Sequence, residues 1–204
     1  MCGSCYSFST SASVESLYAM KTGELYKLSE QYIVSCDTSN YGCDGGNQDD
    51  ATDFLVTNEC ILEADYPYTS GRLGVAGPCR SDGKTTYPLV IAPGTTKVDS
   101  TYSAFKSALR NEPLNISFES VNSFDYYKRG VYKPTDCENH FNSINHAMQA
   151  VGFGYYQGME YAIIRNEWGT DWGIDGYAYV YLDPASTTGV CSLYADNYET
   201  TVGF

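Results

Sequence analysis

Residues 1–8 read MCGSCYSF, and the role of the two cysteines in this stretch, Cys2 and Cys5, decides the fold and chemistry of the chain. A Cys-x-x-Cys pair has three readings. A redox dithiol wants a preceding strand–helix–strand pattern of the thioredoxin kind, and the sequence supplies none. A zinc site wants a second such pair, or a Cys/His pair at short spacing. The nearest candidates, Cys36 and Cys43, bracket a glycine-containing turn instead. The third reading is a nucleophile. The run CYSFSTSASVESLYAMK (5–21) is expected to be a helix, with Phe8, Ala12, Leu17, Ala19 and Met20 as an approximate stripe. Cys5 then stands at the helix N-terminus, where partial positive charge and unpaired N–H groups favour a thiolate.

A nucleophile needs a base from elsewhere in the chain. There are only two histidines. His140 lies in DCENHFNSI, which reads as loop. His146 heads HAMQAVGFG, where a strand begins, and is the better placed. Twenty residues on, RNEWGTDWG supplies Asn166 as an orienting group and two tryptophans.

The rest of the chain reads as helices first and strands second. LSEQYIVSC (28–36), with Ser29 as N-cap, and residues 47–58 are expected helices. Residues 66–95 are rich in Pro, Gly and Tyr and read as loop and domain boundary. A helix is expected over 101–112, before Pro113. LNISF, HAMQAVGFGYY, EYAIIRNEW and GYAYVYL then read as strands separated by glycine turns. Segregated helices and strands imply an α+β fold.

Composition narrows the class. The 204 residues are 43% hydrophobic, enough for one large or two small cores. No apolar run approaches the ~18 residues of a membrane span, and no signal peptide leads the sequence. The net charge of −13 argues against nucleic acid as partner and favours basic partners or simply a solvated acidic surface. Eight cysteines spread singly along the chain read as a disulfide framework from an oxidising compartment. Twenty tyrosines suggest polar-tipped aromatic packing.

Cys-Gly-Ser-Cys with Phe8 and Ser9, then GCDGG (42–46), NHAMQAVGFG (145–154) and RNEWGTDWGIDGY (165–177), in that order, resemble the papain family of cysteine proteases, which includes the cathepsins. The resemblance spans residues 1–198. It implies a two-lobed α+β fold with a helical lobe (1–95), a barrel-like β lobe (96–204, its tail crossing back) and a cleft between them. It implies an endopeptidase with Cys5 as nucleophile, His146 as acid and base, Asn166 orienting the imidazole and Trp168 covering that bond. The Cys5 backbone N–H is one oxyanion donor. Cys2 pairs with Cys43, Cys36 with Cys79 and Cys137 with Cys191, leaving Cys5 and Cys60 free. Gly45 and Gly46 edge the substrate cleft, and Trp172 walls it. The second subsite is lined by Asn47, Gln48, Ser117, Ile144, Asn145 and Asp196, with Asp196 admitting Arg beside Leu or Phe. Glu15, Glu30 and Arg165 match a buried ion-pair cluster.

The same resemblance implies no cofactor and no metal, protein or peptide substrates, proteinaceous inhibitors or a pro-segment as partners, a monomer, and a secreted or lysosomal/vacuolar location; the net charge and the apolar runs add the expectation of no nucleic acid and no membrane. The chain departs from the pattern in places. The family's oxyanion-hole Gln precedes the nucleophile by more residues than are present, which implies an N-terminal truncation. Tyr6 stands where most members have Trp, as in the dipeptidyl-aminopeptidase branch. Glu167 replaces a small Ser beside Asn166. The alternatives are therefore a dipeptidyl aminopeptidase, or an impaired member acting as a peptide-binding or structural protein. The sequon Asn115-Ile-Ser117 falls in an expected strand, against its use.

Overall fold

The computed structural model describes residues 2–203, and for residues 91–93 the backbone alone. Described residues form two compact units, 2–96 with 200–203, and 97–199. The helices are α1 (Cys5–Thr22), α2 (Glu30–Cys36), α3 (Gln48–Asn58), α4 (Ser70–Leu73), α5 (Tyr102–Leu109) and α6 (Asn122–Asp125). The strands are β1 (Val90–Val98), β2 (Leu114–Phe118), β3 (Val131–Tyr132), β4 (His146–Tyr156), β5 (Met159–Arg165), β6 (Tyr177–Tyr181) and β7 (Asn197–Val202). No helix among the described residues is long and apolar enough to cross a membrane.

In the first unit α1 packs against α2 and α3. Neither Gly nor Pro interrupts residues 5–22, and Gly23, at φ 80°, closes the helix by donating its N–H to Ala19 O. The expected apolar stripe is not what holds α1. Met20 is 60% exposed, while Ser7, Ser9, Thr10, Ser11 and Ser13 are buried beside Tyr6, Val14 and Leu17. A helix buried nearly all round must place small side chains where neighbours approach, and its hydroxyls turn to backbone carbonyls. Ser7 Oγ donates to Ser4 O at 2.7 Å, and Thr10 Oγ1 to Gln48 O at 3.2 Å. In α2, Ser29 caps by accepting from Tyr32 N–H at 2.9 Å.

Residues 66–95 depart from a plain loop at the single turn α4, at the antiparallel bridge of Tyr87 to Cys60 and at the start of β1. Disulfides join Cys2–Cys43, Cys36–Cys79 and Cys137–Cys191. Glu15 and Glu30 are paired by Lys27. Arg165, the third residue of the expected cluster, ends β5 in the other unit.

The sheet order is β1-β7-β2-β4-β5-β6-β3. Pairing is antiparallel along β7-β2-β4-β5-β6, and β3 joins β6 in parallel. The second unit's core is apolar and contiguous. Phe105 and Leu109 of α5 join Leu114, Ile116, Phe118, Met148, Ile164 and Val180 of the sheet and Phe124 of α6. Asn115 is fully buried on β2, between β4 and β7, so a glycan there is incompatible with the folded sheet.

Candidate active site

The β4–β5 pairing sets the geometry around His146. Gln149 of β4 faces Arg165 of β5, so the first residue of β4 and the residue following β5 reach the same end of the sheet. His146 also pairs across β2 with Phe118. Asn166 is held there by its own N–H, which donates to Gly176 O at 3.0 Å. The result is a buried contact, His146 Nε2 to Asn166 Oδ1 at 2.9 Å, with both residues under a tenth exposed.

A backbone amide fixes the roles in that contact. Asn166 Oδ1 also accepts the Glu167 N–H at 3.0 Å. An N–H needs an acceptor, so the amide oxygen must face this side. His146 Nε2 therefore carries a hydrogen, and Nδ1 is the nitrogen that gains or loses a proton. Trp168 stacks on the imidazole with ring centroids 5.0 Å apart and planes 26° apart. The residue is 39% exposed, so it is a cover over the site.

Trp172 is a different case. It is only 7% exposed, and its Nε1–H donates to the Phe124 and Asp125 carbonyls at 3.2 Å. Its ring meets Trp168 edge-on at 5.2 Å, and Phe124 touches both indoles. Trp172 is thus a core buttress under Trp168. Phe124 shares that role, and no signal in its sequence context announces it.

Glu167, the replacement for a small residue, places Oε1 3.6 Å from His146 Nε2 with its side chain 17% exposed. Burial raises its carboxyl above the usual range, while the His146 charge and the residue's own N–H oppose that.

In the first unit, Cys5 opens α1 and is half-buried. The Ser4 side chain does not cap this helix; its Oγ instead meets Tyr68 OH at 2.6 Å. The turn 41–47 is bound to the residues around Cys5. Gly3 N–H donates to Cys43 O at 2.8 Å, Tyr6 OH to Gly42 O at 3.1 Å, and Cys2 is disulfide-bonded to Cys43. Tyr6 is fully buried, which pushes its phenol well above the usual value. Cys60, the other free thiol, is also fully buried, and its thiol is pushed up to about 12.

The remaining candidate residues have these places. Gly45 and Gly46 sit in the 41–47 turn, with Tyr41 N–H bound to Gly45 O and the Asn40 side chain against Gly46. Asn47 is exposed, whereas Gln48 is 3% exposed at the start of α3. In the second unit Ile144 is half-buried, and exposed Asn145 bonds through both side-chain polar atoms to the Ser120 backbone. Ser117 Oγ donates to Asp196 Oδ2 at 3.2 Å. Asp196 Oδ1 also accepts from Lys97 at 2.7 Å and from Tyr198 OH at 3.1 Å. The Lys97 contact joins positions 99 apart, which no local pattern announces.

A buried His–Asn pair under an indole and a free cysteine at a helix start occur here in a chain whose residues 1–198 match the profile of the papain family cysteine proteases. The chain belongs to the papain family. Chymopapain of Carica papaya is 36% identical over 205 residues, covering 100% of this chain and 56% of that protein. Cysteine proteinase COT44 of Brassica napus is 37% identical over 195 residues, covering 94% of this chain and 57% of that protein. This papain-family chain spans about half the length of the curated relatives it matches. Among solved structures, the bromelain protease from Ananas comosus in complex with the E64 inhibitor superposes with a TM-score of 0.89 at 33% identity, covering 99% of this chain and 90% of that one. The ragweed pollen allergen Amb a 11, a cysteine protease in its proform, gives a TM-score of 0.86 at 28% identity, covering 100% of this chain and 60% of that one. The fold is therefore papain-like.

Proposed function

We propose that this papain-family chain is the catalytic part of a cysteine endopeptidase, with Cys5 as nucleophile, His146 as its proton-transfer partner and Asn166 as orienting residue. The observation that carries it is the buried His146–Asn166 hydrogen bond, which leaves Nδ1 as the working nitrogen. The Cys5 thiolate attacks the peptide carbonyl carbon. The C–N bond breaks as the Nδ1 proton passes to the leaving amine, and a thioester remains. Water then gives its proton to Nδ1 while its oxygen attacks the thioester, and the thiolate departs. The Cys5 N–H at the start of α1 is one donor to the developing oxyanion. Three disulfides support a secreted, vacuolar or lysosomal location.

By the same reading the chain is blocked by an E64-type inhibitor and pairs with a pro-segment. The test is stoichiometric labelling by E64 read by intact mass, alongside turnover of peptide substrates. One adduct on Cys5 and none on Cys60 is expected. Cys5→Ser and His146→Ala should each abolish turnover. Hydrolysis surviving Cys5→Ser would end the proposal.

Specificity two residues before the scissile bond rests on Asp196. Its carboxylate holds Lys97, so accepting Arg there means displacing that lysine. Such a half-exposed pair is worth about 0–1 kcal/mol. Lys97→Ala should therefore raise the Arg-to-Leu ratio of kcat/KM by up to about fivefold, and Asp196→Ala should lower it. An unchanged ratio in Asp196→Ala would remove Asp196 from the specificity account.

A further inference from the structure

Glu167 has no part in the chemistry above, yet its position is that of a counter-ion. It follows Asn166 directly, and its N–H is bound to the amide oxygen that orients His146. Its Oε1 stands 3.6 Å from His146 Nε2, close enough for charge to act and too far for a hydrogen bond. The side chain is largely buried. A carboxylate so placed ionises at a cost unless a cation faces it, and the same holds for a buried imidazolium.

The neighbouring charged groups have other settings. Glu119, after β2, accepts the Glu138 and Asn139 N–H groups at 2.7 and 2.8 Å. Asp171 and Asp175 in the 166–176 segment and Asp125 of α6 are exposed. Lys128 reaches the Asp171 carbonyl, and Arg165 ends β5. Glu167 is the carboxylate that ion-pair geometry joins to His146.

We propose that Glu167 is a positioning residue whose carboxylate holds His146 as the imidazolium, keeping Nε2–H on Asn166 and a second proton on Nδ1 ready for transfer. This rests on the reading that His146 is the proton-transfer partner of Cys5. The sign follows from the charges. An anion near His146 makes its proton harder to lose, so the charged ring persists to higher pH. Removing the anion moves that loss to lower pH. At the acid end the brace is released when Glu167 itself protonates, above the ordinary carboxylate range because of its burial.

The test uses Glu167→Gln, which keeps the shape, and Glu167→Ser, which removes the side chain. The readout independent of turnover is the NMR titration of the His146 imidazole in a Cys5→Ser background, with the second imidazole assigned by His140→Gln. Both Glu167 variants should move the His146 titration down by about one pH unit. In the Cys5-intact protein the alkaline limb of kcat/KM should move down by a similar amount. An unchanged His146 titration in both variants would overturn the proposal, whatever happens to turnover. Turnover persisting in Cys5→Ser would instead overturn the nucleophile assignment. Thermal melts of each variant separate a lost counter-ion from a lost fold.

Discussion

At His146 the protonation pattern follows from a backbone amide one residue beyond its partner. The Glu167 N–H has no choice of role, so Asn166 must present oxygen, and His146 must present N–H. Asn166 Nδ2 is buried with no partner among the described residues, so this orientation leaves one amide donor unsatisfied. Replacing the side chain removes the acceptor from both donors. A hydrogen bond to a charged group is worth about 1.5–3 kcal/mol, so Asn166→Ala should lower kcat/KM by about 10- to 150-fold. Its melting point should fall slightly, because the Glu167 N–H loses its acceptor too. Steady-state kinetics on folded variant protein would check this. Activity within about twofold of the parent would mean that Trp168 packing alone orients the ring. At this scale Cys5, His146 and Asn166 were legible as candidates because three motifs carry them in order. Lys97 and Phe124 were not, because their effect comes from contacts between distant positions.

Among the elements, α1 and the 41–47 turn show how a position is fixed by close approach. A Cβ on Gly3 would stand 2.9 Å from Cys43 O, the acceptor of its own N–H, and 3.4 Å from Gly45 N. Neither neighbour is a flexible side chain, so the turn must shift away from the start of α1. Gly3→Ala should cost about 1–3 kcal/mol, as overpacking usually does. It should also reduce labelling of Cys5 by E64, since the strain falls two residues away. Urea melts and labelling rates would measure both, and an unperturbed melt would mean the turn yields freely. The strands β2, β4, β5 and β6 were readable because β-branched and aromatic residues cluster there between glycine turns. In β6 burial alternates along YAYVY, as a half-buried strand requires. β3 has two residues and β7 reads NYETTV, too short and too polar to announce pairing that tertiary contacts supply. The α1 stripe misled for a related reason. A helix covered on nearly every side has no polar face to set its period, and buried serines stand in for apolar residues.

For the molecule as a whole, charge and burial act in the same direction with pH. The chain carries −13 at pH 7, a self-repulsion that weakens as carboxylates protonate. Burial also raises the carboxyls of Glu15, Glu63 and Glu167 above their ordinary value. A group raised on folding stabilises the fold fully below its unfolded value and loses that contribution as pH rises through its folded value. Glu160 goes the other way. Burial would raise it, but bonds from Lys106 and Tyr102 hold it below the usual range. Its stabilisation is lost only under stronger acid, so it is constant between pH 5 and 8. The Cys60 thiol, at about 12, stays neutral throughout this range. These carboxyl terms therefore favour the acid side. The unfolding midpoint should be higher near pH 5 than near pH 8. In a chain of this size each kcal/mol raises it by about 2–4 °C, so a rise of that order is expected. Thermal melts of Cys5→Ser protein, which cannot digest itself under the proposed function, would show it. A midpoint that climbs from pH 5 to pH 8 would mean that ionised Glu15, Glu63 and Glu167 are stabilised by their partners more than burial penalises them. In that case Glu15→Gln should destabilise at pH 8; if burial dominates, it should stabilise.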